Sequence, residues 1–534
     1  MEQMIKFSIL PGIQYMREHN AFIEMQNQLY TINKYYEKIK MHANNYDFAT
    51  LDLAKEILGL KGFGGISENI IQLTSVLFDN RNFLKIIARK SDEELRCVYV
   101  TSPQQVFVDI LNILDNAEGQ AYFAIYYSYK ILSKAKLYNE YDSLVELRRY
   151  RREMLKRFEL SKHKFSEIAK MKSKEYRACD PSFYKEGINY EQITKLLQGS
   201  LEYEMNLDHN TCFKTCSDYK YVSHRIQNKY DCKGALHDCT FIDADMNVCN
   251  SNEKSVRKYQ VIEYKDGTIL GNKTECENEW KNVKSKWTWL GHCTYCMCYC
   301  EDHTDSDRYW NIREVNSDIM SNRVVTGVRF VKHNRIIHLQ IQQGQLLKNG
   351  RININSLEWK PVEDYSVTDS HKSKDLDYFK LHYNRRSIDL DDLHVDKGYV
   401  VTGVRFRLDD MKRRLKLEIG MTPYNASIGL LTRNIQKWQH NSRRAEKRIN
   451  LKNSDLPTKS FHSTKLSGSN EYITFTHSDL HKDVAQSTIP FIDSQAVAPR
   501  NPTPLAGIGI FHKREEGFGG FIAPKVFTFN IDDF

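Results

Sequence analysis

Apolar and polar positions change rhythm twice along the chain, and each change marks a different kind of structure. From Ile13 to Cys179 the rhythm is helical. Gly59-Leu60-Lys61-Gly62-Phe63-Gly64-Gly65 interrupts it, and Ser67 follows as the expected N-cap ahead of Ile70 and Ile71. Thr101-Ser102-Pro103 interrupts it again, with Ser102 as N-cap and Pro103 at the first helical position. Beyond it, Phe107, Leu111, Leu114, Ala121, Ile125 and Leu132 recur at helical spacings and form an apolar seam. The small residues Ala117, Gly119, Ala121 and Ala124 would let a neighbour approach closely. Leu144, Leu147, Met154, Phe158, Phe165 and Ile168 repeat the seam among many charges. The pattern predicts two long antiparallel helices within a bundle.

From Cys179 to Cys300 the periodicity weakens, and from Asp305 onward short β-branched runs alternate with turn residues. The segment VVTGVRF occurs at Val324 to Phe330 and again, letter for letter, at Val400 to Phe406. Each copy continues through a polar turn into an alternating strand, Leu339-Gln340-Ile341 or Leu417-Glu418-Ile419. Ala506-Gly507-Ile508-Gly509-Ile510 reads as a degenerate third copy. Alternation sends Val324, Thr326, Val328 and Phe330, with Val400, Thr402, Val404 and Phe406, toward the core. Val325, Gly327 and Arg329 then face the other way, and Arg329 and Arg405 lie outside or pair with acids. The fold class expected is multi-domain α+β. It comprises a helical bundle at 1–178, a cysteine-rich module at 179–304 and an all-β repeat domain at 305–534, β-prism-like or alternatively a β-sandwich.

Composition changes this picture little. Hydrophobic residues are 41% and charged residues 27% of 534, as in ordinary globular proteins. The net charge of +9 is modest, and with no zinc finger, RNP motif or basic heptads it argues against nucleic acid as partner. Basic residues cluster locally at Arg148, Arg149, Arg151, Arg152 and Lys156, interleaved with Glu146, Glu153 and Glu159. That stretch is a solvated helix face or an anion-binding face for sulfated glycan, anionic lipid or acidic protein. The aromatic run Tyr122, Phe123, Tyr126, Tyr127 and Tyr129 belongs to a helical core, or to a membrane-active hairpin.

The cysteines change the picture more. Eleven of twelve lie in one stretch: Cys179, Cys212, Cys216, Cys232, Cys239, Cys249, Cys276, Cys293, Cys296, Cys298 and Cys300, with Cys97 outside. Such crowding reads as a disulfide framework. Cys293 and Cys296 have zinc-ligand spacing beside His292 and His303, but the remaining spacings are irregular, so no metal is expected. Two sequons, at Asn272 and Asn425, agree with an extracellular protein. The N-terminus lacks a hydrophobic signal and no stretch is long and apolar enough to cross a membrane, so the sequence is expected to begin downstream of the true start.

Gly62-Phe63-Gly64-Gly65 is followed by no Gly-Lys-Ser/Thr, and the acids Glu301, Asp302, Asp305 and Asp307 lack the pattern of a calcium loop. No nucleophile elbow or H-E-x-x-H occurs. No catalytic or cofactor residue is assigned and no cofactor is expected.

The stretch Cys293 to Cys300, the VVTGVRF copies, and the tail Pro502 to Ile510 with Gly517-Phe518-Gly519-Gly520-Phe521 together resemble an uncharacterised insect family, described only as a domain of unknown function. Its members look like secreted proteins, and it carries no assigned activity. A more distant likeness, in repeat logic alone, is to β-prism lectins. The expected function is a secreted, non-enzymatic binding or structural protein whose partner is an extracellular protein or a glycan. A membrane-active effector and an undetected hydrolase are the alternatives.

Overall fold

The computed structural model describes residues 20–42, 46–62, 64–78, 103–169, 175–207, 211–223, 232–242, 245–289, 291–409, 411, 413–460 and 462–528. Five long helices come first among these: α1 (Asn20–Met41), α2 (Phe48–Ile57), α3 (Ile66–Phe78), α4 (Pro103–Lys134) and α5 (Glu140–Ala169). Pro103 opens α4 as expected, and α4 and α5 are the two predicted long helices. Ser102 and Cys97, and the side chains of Phe107, Phe165 and Ile168, lie outside the described residues.

Leu114, Ala117, Ala121, Ala124, Ile125 and Leu132 of α4 are buried against Met25, Leu29, Ile32 and Ile39 of α1. Gly119 is the exception among the small residues, for it faces solvent. Most of the aromatic run serves the core: Tyr129 is buried and Phe123 meets Tyr36 edge-on at 5.3 Å, while Tyr126 is exposed. On α5 the seam is narrower than expected. Leu147 and Tyr150 are buried, but Leu144 and Phe158 are 49% and 43% exposed. The inward stripe turns through Arg157 instead, whose Nε donates to Glu118 at 2.7 Å while the Tyr150 hydroxyl donates to the same carboxylate at 3.0 Å. Ser67 is not the N-cap of α3. The helix begins one residue earlier, with the Gly65 carbonyl accepting from Glu68 N at 2.9 Å. Gly65 is required there because a Cβ would sit 2.4 Å from the Ile57 carbonyl oxygen.

The C-terminal region is built on three long antiparallel hairpins. Arg323–His333 pairs with Ile336–Gln345, Tyr399–Leu408 with Arg414–Asn425, and Leu505–Arg514 with Phe521–Thr528. Beside the second arm of each runs a short parallel strand: Tyr309–Asn311, Ser387–Leu390 and Phe491–Asp493. The chain then crosses to the first arm of the next hairpin. Val315–Asn316 pairs with Val404 and Gly403, Asp392–His394 pairs with Gly509 to Gly507, and Val497 bridges back to Val328. This cyclic exchange closes three sheets into one prism-like body with an approximate threefold relation. The two VVTGVRF copies are its equivalent strands.

Each first arm carries a bulge at the same place, between Val325 and Gly327, Val401 and Gly403, and Leu505 and Gly507. The extra residue shifts the alternation. Val325, Val328 and Phe330 therefore share the common core with Val401, Val404 and Phe406, rather than Val325 facing away. Val324 and Val400 fill a smaller cluster with Leu346, Ile352 and Leu431, and Thr326 and Thr402 are buried too. At the centre, Trp310 meets Phe330 at 5.7 Å and Phe406 at 5.3 Å, both edge-on.

The prism also draws on residues well before 305. Glu175–Arg177 pairs with the last strand, Tyr190–Glu191 pairs with Phe491–Asp493, and Ile193, Leu196 and Leu197 enter its core.

Candidate functional site

Cys296, Cys298 and Cys300 stand two residues apart on the strand Tyr295–Asp302, so their side chains leave on one face. They reach three different partners, Cys216, Cys239 and Cys232. Cys212–Cys293 and Cys249–Cys276 complete five described bridges, and Cys179 is disulfide-bonded as well. No cysteine among the described residues is free. Glu204 lies close to Cys216 and Cys296, but both sulfurs belong to one disulfide, so the group lacks the thiolates a zinc site requires.

The acidic stretch beside the cysteines splits into separate tasks. Asp302 accepts from the backbone N–H groups of Thr304 and Asp305 and closes a turn. Asp307 pairs with Lys332 and Arg335. Glu301 is buried at the seam between module and prism. It receives Arg308 Nη1 at 2.7 Å, His382 Nδ1 at 3.2 Å and His237 Nε2 at 3.2 Å. His237 comes from the cysteine module, and its ring stacks at 3.9 Å on Tyr383, which like His382 and Arg308 comes from the prism side. Burial alone would raise the Glu301 pKa. The hydrogen bonds from His237 and His382 and the Arg308 charge override it and hold the carboxyl well below the usual range. A carboxylate so saturated with donors is a poor proton shuttle and a good lock between two bodies.

Among the described residues, two clefts open on the surface of the prism. One of about 380 Å³ lies where the first crossing strand meets the first hairpin, lined by Asn311, Arg313, Asn316, Gln340, Lys360 and Glu363 among others. His338 also lines it, buried, with Nε2 unpartnered; burial pushes its pKa down to about 4, so the ring is neutral. The other, of about 430 Å³, lies between the loops around Asn322, Leu347 and Gly429. Arg329 and Arg405 behave as expected of the outer face. Their guanidinium groups stack on Trp359 at 4.5 Å and Trp438 at 4.2 Å, and Arg405 pairs with Glu418 at 2.6 Å.

The remaining candidates are dispersed. Arg148, Arg149, Arg151, Arg152 and Lys156 are all exposed on α5; Arg149 pairs with Glu146 and Lys156 with Glu153. Asn272 and Asn425 are exposed, and each side chain accepts from the hydroxyl two residues on. Sequence reasoning passed over Trp287 and Trp289, which are 80% and 93% exposed. The signal was present in Lys286-Trp287-Thr288-Trp289, an alternation of aromatics that no core periodicity explains.

These features define a class: a helical bundle, a three-sheet β body and a disulfide-bonded module set into the chain between the first strands of that body and its hairpins. Residues 94–341 match the model of a family described as "Domain of unknown function (DUF4803)", a span that takes in α4, α5, the cysteine module and the first long hairpin up to the middle of its second arm. No curated protein matches the chain.

Proposed function

We propose that the chain is a secreted, non-enzymatic binding protein that takes a glycan on its prism. The observation that carries this reading is the 380 Å³ cleft, which opens above the neutral ring of His338 and is lined by amide, cationic and carboxylate groups held in place by their own partners, Lys360 by Asp318 and Glu363 by Arg313 and Lys372. Such mixed donors and acceptors suit the hydroxyls of a sugar better than an apolar ligand. Secretion draws support from the bridge density, which belongs to oxidising compartments. It also fits the exposed sequons at Asn272 and Asn425 and the resemblance to an insect family of secreted proteins. An extracellular protein is the second kind of partner this surface admits.

A glycan array followed by calorimetry tests the reading. Lys360→Ala with Glu363→Ala should weaken the selected glycan about tenfold or more, since each removes a charged hydrogen-bonding group. Unchanged affinity in the double variant overturns the placement of the site. Mobility shift on deglycosylation of the protein from insect-cell medium tests the use of Asn272 and Asn425.

A further inference from the structure

The hairpin made by Lys286–Thr288 and Gly291–Cys293 holds Trp287 and Trp289 almost wholly in water, and nothing in the glycan reading uses it. It is a rigid presentation rather than a loose tip. Cys293 at its base is bonded to Cys212, and just before it Ser285 donates twice to Asp245, each at 3.2 Å. His292 stacks on one face of Trp287 at 4.5 Å and leaves the other face open. Two indoles fixed in solvent cost free energy that a self-sufficient surface would not bear.

The flanking charge narrows the occupant. Lys281, Lys284 and Lys286 are exposed and make no ion pair among the described residues. Exposed cations in the run that leads into the hairpin, followed by indoles that each have an apolar body and a single N–H donor, match the interface of an anionic bilayer. There Trp rests at headgroup depth and Lys reaches the phosphates. A sugar site would set amides and carboxylates around the rings. Here the exposed amide Asn282 lies on a strand of the neighbouring sheet, where it meets Asn247 at 2.8 Å. A protein partner would need about 800 Å² on each side, more than two indoles supply.

We infer that the Trp287–Trp289 hairpin docks the protein peripherally on anionic phospholipid surfaces. The docking is independent of the prism cleft, so the two readings fail separately.

The full disulfide-bonded chain should be sedimented with phosphatidylcholine vesicles, with and without about 30 mol % phosphatidylserine, and its tryptophan fluorescence followed with brominated lipid. Binding is expected to need phosphatidylserine, to fall with added salt and to quench the indoles. Trp287→Ala with Trp289→Ala should reduce partitioning about tenfold or more, since each indole supplies buried apolar area. Lys284→Glu with Lys286→Glu, which leaves the hairpin core untouched, should abolish the preference for phosphatidylserine and serves if the tryptophan variant misfolds. Arg148→Glu with Arg151→Glu and Arg152→Glu should leave binding unchanged. Absence of binding by the native chain overturns the proposal. So does loss of binding only in the α5 variant, or a glycan-array signal that depends on Trp287 and Trp289 while vesicles give none.

Discussion

His512 lies fully buried in the first arm of the third hairpin, where its Nε2–H donates to the Gly519 carbonyl at 2.9 Å. Burial pushes its pKa down from 6.5 to about 4, as it does for His338. Both rings fold neutral, while in the unfolded chain they protonate near 6.5. As pH falls through that value, the unfolded state takes up protons that the folded state refuses, so stability declines until pH reaches about 4. The loss is on the order of 3 kcal/mol for each ring. Urea unfolding at pH 7 and at pH 4.5 should show it, and His512→Asn should remove part of the difference; an equal slope in the variant counts against the assignment. Glu301 has the opposite chemistry. Its depressed pKa contributes stability that is complete above the ordinary carboxylate range and lost as pH falls below it. Glu301→Gln should cost about 3–5 kcal/mol at pH 7, because Arg308 is left buried without its counter-charge; an unfolding midpoint equal to that of the native chain would refute this. None of this was legible in the sequence. Glu301 sits in a run of acids that reads as a polar loop, and the partners that make it a lock are 64 and 81 residues away.

Secondary elements were more legible, and the departures have a common cause. VVTGVRF announced two equivalent strands, and Gly507 marked the third although only the glycine and its apolar neighbours survive there. The alternation failed at the bulge because the inserted residue pairs with nothing, so counting by twos goes out of step. The structure shows why a glycine follows. A Cβ on Gly327 would lie 2.5 Å from the Ala498 Cβ, on Gly403 2.2 Å from Asn316 Oδ1, and on Gly507 2.2 Å from the Leu393 carbonyl oxygen. The glycine is the notch through which the neighbouring sheet's strand crosses. Gly327→Ala and Gly507→Ala should each destabilise by about 1–3 kcal/mol, the second more because rigid backbone blocks it. Gly119→Ala should do the reverse. It lies exposed inside α4 with nothing within 4 Å of its would-be Cβ, so alanine should add about 0.5–1 kcal/mol of helix stability. Chemical denaturation of the three variants separates the two effects, and a Gly327→Ala protein as stable as the native chain would contradict the crossing argument.

At the scale of the whole molecule, the division into helical, cysteine-rich and β parts was legible because each has its own hydrophobic rhythm. The entry of residues 175–197 into the prism was not, since strands of two and three residues carry no periodicity to read. The helical core and the prism core share no residue, and a hydrogen bond from Asn349 to Asn112 at 3.3 Å links the two regions. They should therefore unfold as separate cooperative units. The cysteine module stands differently. One of its two small clusters is made largely of the half-cystines themselves, the other gathers Ile242, Val248, Ile262 and Met297 around Val484, and its described bridges close loops of 59 to 81 residues, apart from the 27-residue closure at Cys249–Cys276. Loss of a bridge in such a module typically costs about 2–5 kcal/mol, with longer closures constraining the unfolded chain more. Reductant should then release the module while both larger cores persist. Hydrogen exchange should report it as early loss of protection over 234–242 and 295–302, with the hairpin strands Arg323–His333 and Ile336–Gln345 still protected. Calorimetry should show at least two transitions in the oxidised chain. A single transition, or loss of protection in module and hairpin together on reduction, would mean that the Glu301 seam couples them into one unit and that the bridges stabilise the prism as much as the module.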